Sequence, residues 1–278
     1  MTSLTRLETA SATASGILRA FNEDSVAIEP VLGLLILADG MGGYKAGDVA
    51  SSLATNLVLE ELKRKLSKQT APSLRIVTQL SESSLLVKAA IEKTNRFIHT
   101  TAQTSDKYSG MGTTIVLMLF HDGWATIAHV GDSRLYRLRN NEFTLLTHDH
   151  SLLQEQVELG MISAEEAKYS HNRNLVTRAL GVDVDVKVDI LEVDVLPDDI
   201  YLLCSDGLND MVDDADIELA LSELQTNLPL AANHLIDMAN DNGGLDNISV
   251  IIAKLSQDNG AVRSRWDKLF GWLRFLKG

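Results

Sequence analysis

One cysteine in 278 residues, Cys204, leaves no room for an internal disulfide framework and fits a reducing compartment. Basic residues are short as well: 25 Lys and Arg stand against 38 Asp and Glu, for a net charge of −13. With no basic surplus to neutralise phosphates, nucleic acid is excluded as an expected partner. No run approaches the ~18 apolar residues of a membrane span. Residues Met1 to Glu8 lack the apolar stretch of a secretory leader. These absences place the expected body of the protein in the cytoplasm. What is present is ordinary for a soluble globular chain, with 45% hydrophobic and 23% charged residues. The length suffices for a substantial core in one domain.

Against that plain background, four apolar runs each carry an aspartate at one end. Gly33 to Ala38 leads into Asp39-Gly40, Thr126 to Gly131 into Asp132-Ser133, and Ile200 to Ser205 into Asp206-Gly207. Asp246-Asn247 stands instead just before Ile248 to Ala253. Runs of this length read as buried strands. One Asp-Gly pair after a strand is a common turn signal and means little alone. Several carboxylates converging at strand ends are another matter: two unit charges about 4 Å apart repel by roughly 4 kcal/mol at an effective dielectric near 20. A shared hard cation removes that penalty, and carboxylate, carbonyl and water are the ligands Mg²⁺ or Mn²⁺ prefer. The pattern therefore predicts a metal-dependent hydrolase.

Helical periodicity predicts one amphipathic helix over about 49–66 and a second through Leu80, Ser84, Val87, Ile91 and Ile98, separated by a break at Ser67 to Ser73. From Gly112 the pattern turns to strands, with hairpin turns at His121-Asp122-Gly123 and Asn140-Asn141. Residues 149–180 are polar, carry cap signatures at Ser151…Gln154 and Ser163…Glu166, and read as a surface flap. Strands are expected at 184–193, 200–204 and 248–254, and helices at 214–224 and 229–239. Tight hairpins argue against a parallel sheet. The predicted class is α+β: two stacked antiparallel sheets flanked by helix pairs, over residues 1–256, with a short tail at 257–278.

Six fragments together resemble the metal-dependent serine/threonine phosphatases of the PP2C (PPM) family, bacterial branch. They are Arg19-Ala20-Phe21-Asn22-Glu23-Asp24, Ala38-Asp39-Gly40-Met41-Gly42-Gly43, Gly110-Met111-Gly112-Thr113-Thr114, Val130-Gly131-Asp132-Ser133-Arg134, Cys204-Ser205-Asp206-Gly207-Leu208 and Asp246-Asn247-Ile248-Ser249. They follow the family's order across residues 16–254. The resemblance implies an α-β-β-α sandwich that hydrolyses phosphoserine and phosphothreonine by direct attack of a water or hydroxide bridging two Mn²⁺ or Mg²⁺ ions. It further implies that Asp39 bridges both ions, that the Gly40 carbonyl binds one, and that Asp206 and Asp246 complete the other. Asp132 resembles the ligand of a third ion found in bacterial members, sharing Asp206 and bordered by the flap, where Asn174 is a further candidate. Asp24 resembles the carboxylate that orients metal-held water, with Glu23 beside it. Arg19 resembles the phosphate clamp, its planar fork suited to two phosphate oxygens.

Two positions depart from the family pattern. Met41 and Tyr44 stand where other members have histidine. The general acid is then metal-held water first, with His148 and His150 behind it. A cysteine-phosphatase reading of Cys204 fails, since Asp210 occupies the place of the required arginine. The rival functions are a phosphoprotein-binding pseudophosphatase and a dedicated regulatory phosphatase of a partner-switching pathway. Expected partners are phosphorylated proteins, including a Ser/Thr kinase or its substrates. Residues 261–278 set Arg263, Arg265, Lys268, Arg274 and Lys277 against Asp267, with Trp266, Leu269, Phe270, Leu273 and Leu276 on one helical face. That composition suits an anionic membrane surface, a partner's groove, or packing against the body.

Overall fold

The computed structural model describes residues 5–42, 46–67, 80–163, 166 and 175–257. Tyr44, Asn174 and the tail from 258 onward, on which expectations were placed above, lie outside the described residues. The strands are β1 (Thr5–Ala14), β2 (Asp24–Glu29), β3 (Leu34–Met41), β4 (Gly112–Thr113), β5 (Ile115–His121), β6 (Trp124–Val130), β7 (Arg134–Arg139), β8 (Glu142–Leu145), β9 (Asp189–Asp194), β10 (Ile200–Cys204) and β11 (Ile248–Gln257). The helices are α1 (Ala46–Leu66), α2 (Glu82–Ala102), α3 (Leu152–Glu158), α4 (Asp206–Asn209), α5 (Asp214–Leu224) and α6 (Leu228–Asp241).

The strands form two sheets, ordered β1-β11-β10-β7-β8 and β2-β3-β5-β6-β9, with β4 added to β3. Every pairing is antiparallel. Strand alternation explains the layering, because successive side chains point to opposite faces. In β3, Leu34, Ile36 and Ala38 pack under α1 and α2, while Leu35 and Leu37 meet the other sheet. In β10, Ile200, Leu202 and Cys204 pack under α5 and α6, while Tyr201 and Leu203 face inward. The layers therefore run helix, sheet, sheet, helix, as expected. Cys204 is fully buried, and burial pushes its thiol up to about 12, which leaves it unreactive.

Differences from expectation lie in the outer strands. β1 and β2 carry no continuous apolar run: β1 reads Thr-Arg-Leu-Glu-Thr-Ala-Ser-Ala-Thr-Ala, and its small polar residues give a weak signal. Ten residues of β11 pair with it nonetheless, which is a tertiary decision. β9 begins at Asp189 and not near 184, because the carbonyls of Asp183 and Val184 accept hydrogen bonds from Asn95 Nδ2 on α2 (3.0 Å each). Both flap caps form: Ser151 Oγ accepts from Gln154 N, and Ser163 and Glu166 bond reciprocally at 2.8 and 3.1 Å. Among the described residues no helix is long and apolar enough to cross a membrane.

Candidate metal centre

The expected aspartates meet at one edge, where strand ends of both sheets come together. Asp39 lies within β3, in cross-strand register with Asp24 of β2. Asp132 follows β6, Asp206 opens α4 directly after β10, and Asp246 precedes β11. Their charges act on one another. Burial raises the Asp39 carboxyl well above its usual range, and the charges of Asp24, Asp206, Asp132 and Asp246 add to the effect. Asp206 is raised likewise, by burial and then by Asp132, Asp210, Asp246 and Asp24. Burial pushes Asp24 up to about 6 and Asp132, helped by Asp149, to about 7. Two of the oxygens, Asp24 Oδ1 and Asp206 Oδ1, are buried with no hydrogen-bond partner. An unpaired buried carboxylate oxygen is costly unless something else compensates it.

The backbone around these aspartates is held by residues that the sequence motifs contain but whose roles their spacing does not reveal. Asp39 N–H donates to Thr114 Oγ1 (3.0 Å), and Asp39 O accepts from Thr114 N (2.8 Å) and Thr113 Oγ1 (2.7 Å). Thr114 Oγ1 in turn bonds Ser133 Oγ beside Asp132 (2.7 Å), so one hydroxyl pair links two aspartate segments. Ser205 Oγ donates to Asp24 Oδ2 (2.8 Å) and accepts from Ser249 N (2.9 Å). Asn247 Nδ2 donates to the carbonyls of Ser15 and Phe21, and its Oδ1 accepts from Glu23 N. Repeated short polar residues next to each aspartate were the available signal. Glycine at 40 is required by close packing: a Cβ there would sit 2.1 Å from Gly47 O and 2.5 Å from Glu23 O.

Arg19 and Asp246 have each other: Nη2 donates to Oδ2 at 2.6 Å, and the arginine side chain is 53% exposed. That contact raises the Arg19 pKa further, so the guanidinium stays charged. The Glu23 carboxyl is raised by burial and by Asp48.

Among the described residues, the set of three ligand-type groups that closes to within 4.8 Å is a different one: His129, His150 and Asp189. The two rings stack with centroids 4.8 Å apart. His150 Nδ1 accepts from Gly131 N–H (3.0 Å), which puts the ring proton on Nε2, facing Asp189 Oδ2 at 3.3 Å. Arg178 Nη1 donates to Asp189 Oδ1 (3.1 Å); it also lies 2.8 Å from Nε2, where with the ring proton on Nε2 two donors face each other and no hydrogen bond forms. A guanidinium already fills the cationic position, so this cluster is complete without an ion. Burial, with His129 and Arg178 adding positive charge, lowers His150 to about 4. With both nitrogens engaged, His150 is unavailable as a general acid; His148 is turned to Glu158, 2.7 Å away. The histidine cluster ties the flap to the centre instead: His150 N also donates to Gly131 O (3.0 Å), one residue before Asp132.

The family model described as Protein phosphatase 2C matches residues 18–235. The serine/threonine phosphatase stp of Listeria innocua is 38% identical over 245 residues, covering 86% of this chain and 92% of that protein. Protein phosphatase PhpP of Streptococcus pneumoniae is 33% identical over 229 residues, covering 81% and 87%. Among solved structures, the Mycobacterium tuberculosis serine/threonine phosphatase PstP/Ppp aligns with a TM-score of 0.80 at 36% identity, over 91% of this chain and all of that one. The catalytic domain of PstP in complex with two manganese ions aligns at 0.76 and 35%, with the same coverage. The chain belongs to the protein phosphatase 2C family.

Proposed function

We propose that Asp39, the Gly40 carbonyl, Asp132, Asp206 and Asp246 hold the divalent ions of this metal-dependent serine/threonine protein phosphatase, and that Arg19 and Asp24 act on the substrate and the attacking water. The observation that carries the assignment is the set of mutually repelling carboxylates with two buried, unpartnered oxygens, Asp24 Oδ1 and Asp206 Oδ1. Hard oxygen donors in surplus fit Mn²⁺ or Mg²⁺, and a cation removes the repulsion that burial amplifies. Such ions, when bound, lower the pKa of water and screen the phosphate charge.

The remaining work falls to this chain's side chains. Asp24 is fixed through Oδ2 by Ser205, which leaves Oδ1 to accept a hydrogen bond from the attacking water. Arg19 donates to Asp246, and a phosphate dianion competes for the same exposed guanidinium. Once there, its two parallel N–H groups hold the phosphate in line with the water and offset charge as the P–O bond to serine or threonine breaks. Met41 has no proton to give and His150 has none free, so neither of these two side chains protonates the leaving oxygen.

Phosphorylated proteins are the substrates; opposition to a particular Ser/Thr kinase belongs to this proposal. Retention of the full aspartate set speaks against a binding-only pseudophosphatase. The test is release of phosphate from a phosphothreonine peptide by chelator-stripped protein, titrated with Mn²⁺. Turnover should appear only with metal. Tight peptide binding without any metal-dependent turnover would support the binding module instead.

A further inference from the structure

Beside Arg19 the surface changes character. Ile17 and Leu18 are 64% and 68% exposed, Phe21 is 55% exposed, and Leu245, next to Asp246, is 43% exposed. Isolated apolar residues at a surface are common, but these come from two segments joined to one another at the edge of the centre. Ile17 N and Leu18 N both donate to Gly244 O, at 2.8 and 3.2 Å. Gly16, at φ +73°, crosses so close to Asp246 that a Cβ would sit 2.1 Å from its carbonyl oxygen. Asn247 Nδ2 holds the carbonyls of Ser15 and Phe21 from below, at 3.0 and 2.9 Å. The apolar side chains are thus displayed on a segment already fixed in place, and a ligand meeting them has little backbone ordering to fund.

We propose that Ile17, Leu18 and Leu245 form an apolar rim that selects phosphoprotein substrates with an apolar side chain within about three residues of the phosphorylated position. The inference rests on the phosphatase reading above, in which Arg19 holds the phosphate. Leu18 is the chain neighbour of Arg19, ~3.8 Å between Cα atoms, and Leu245 is the chain neighbour of Asp246, the carboxylate that the clamp contacts. A peptide whose phosphate reaches Arg19 must lay its flanking residues across this rim. The chain is strongly acidic at −13, so an acidic flank would be repelled while an apolar flank is attracted independently of salt.

The test uses matched phosphothreonine peptides carrying leucine or serine at the flanking positions, with Mn²⁺ and the full chain. Wild-type protein should favour the leucine peptides by about tenfold in kcat/KM, mostly through KM; tenfold corresponds to about 1.4 kcal/mol. Leu18→Ser should compress the preference to under about threefold while p-nitrophenyl phosphate turnover and melting temperature stay unchanged. Leu245→Ser provides an independent second variant. Equal kcat/KM for both peptide sets in the wild type, or a preference that survives both substitutions, would overturn the rim. So would a preference that appears only after residues 258–278 are removed, since the chain's own tail would then be the occupant. A wild-type protein unable to hydrolyse p-nitrophenyl phosphate with Mn²⁺ would instead overturn the phosphatase reading, and the rim with it.

Discussion

Two partly buried polar clusters flank Gly131, and they use overlapping residue types in opposite ways. On one side His129, His150, Asp189 and Arg178 face each other with donors and acceptors of both charge signs, within hydrogen-bonding reach throughout. On the other side Asp132 joins Asp24, Asp39, Asp206 and Asp246, where carboxylates act on carboxylates and two oxygens stay unpartnered. By compactness alone the histidine cluster looks more like a metal cage. Charge balance reverses that ranking. A constellation that is electrically complete is a structural device, and one left in deficit calls for a ligand.

The sharpest way to break the contrast is to neutralise one member of the acidic set. Asp206→Asn should reduce metal-dependent activity by more than about 10²-fold, beyond the effect usual for residues that only support a ligand. The same substitution should raise the melting temperature of the metal-free protein, because it removes a buried repulsion. Kinetics and thermal melting in chelator check both halves; an inactive variant that is also less stable would mean the carboxylate has a structural partner.

The mirror-image change is His150→Ala. It leaves Gly131 N–H without its acceptor while Asp189 and Arg178 keep each other, and it removes a buried ring, so it should destabilise by about 2 kcal/mol, or roughly 4–8 °C. Apparent Mn²⁺ affinity should weaken only modestly. Were metal-free wild type and variant to melt together while Mn²⁺ or Zn²⁺ stabilised the wild type alone, the histidine cluster would be the ion site after all.

A smaller effect is expected at the clamp. Arg19→Ala should raise KM for phosphopeptides by about tenfold with a lesser change in kcat, in line with losing a charge-assisted contact. Steady-state kinetics decides this, and unchanged constants would remove Arg19 from the substrate.

pH offers the finest comparison, because the two clusters titrate with opposite sign. His150, lowered to about 4, and His129, also lowered, bind fewer protons folded than unfolded, so they contribute stability that is lost as pH falls below about 6.5. Asp24 at about 6, Asp132 at about 7, and the higher Asp39 and Asp206 bind more protons folded than unfolded. Their stabilising effect in the protonated form is lost as pH rises through those values. Between about pH 4 and 6 the four raised carboxylates outweigh the two lowered histidines, so metal-free protein should melt highest near about pH 4 and progressively lower towards pH 8, and saturating Mn²⁺ should flatten that fall. A metal-free melting temperature that climbs steadily to pH 8 would contradict the raised carboxylates.

Much of this was legible locally. Asp39, Asp132, Asp206 and Asp246 announced themselves at the ends of apolar runs, and the caps at Ser151 and Ser163 were readable from three-residue spacing. β1 was not, because its side chains are small and polar and its pairing partner, β11, lies more than 230 residues away. Nor were the holding roles of Thr114, Ser205 and Asn247, whose hydrogen bonds span from 19 to 232 positions along the chain. The structural role of His150, ranked behind metal-held water as a general acid, was hidden for the same reason: Gly131, Arg178 and Asp189 surround it only after folding.

By itself the order of residues determined the helices and the apolar strands, through helical periodicity and short apolar runs, and which aspartates stand at the ends of those runs. Only the tertiary structure decided which of those charges share a low-dielectric edge, which are answered by a guanidinium, and which are left in need of a cation. The physical reason is range. Backbone preference acts over a few neighbours in the chain, whereas burial and Coulomb repulsion depend on distances in space that exist only once both sheets have stacked.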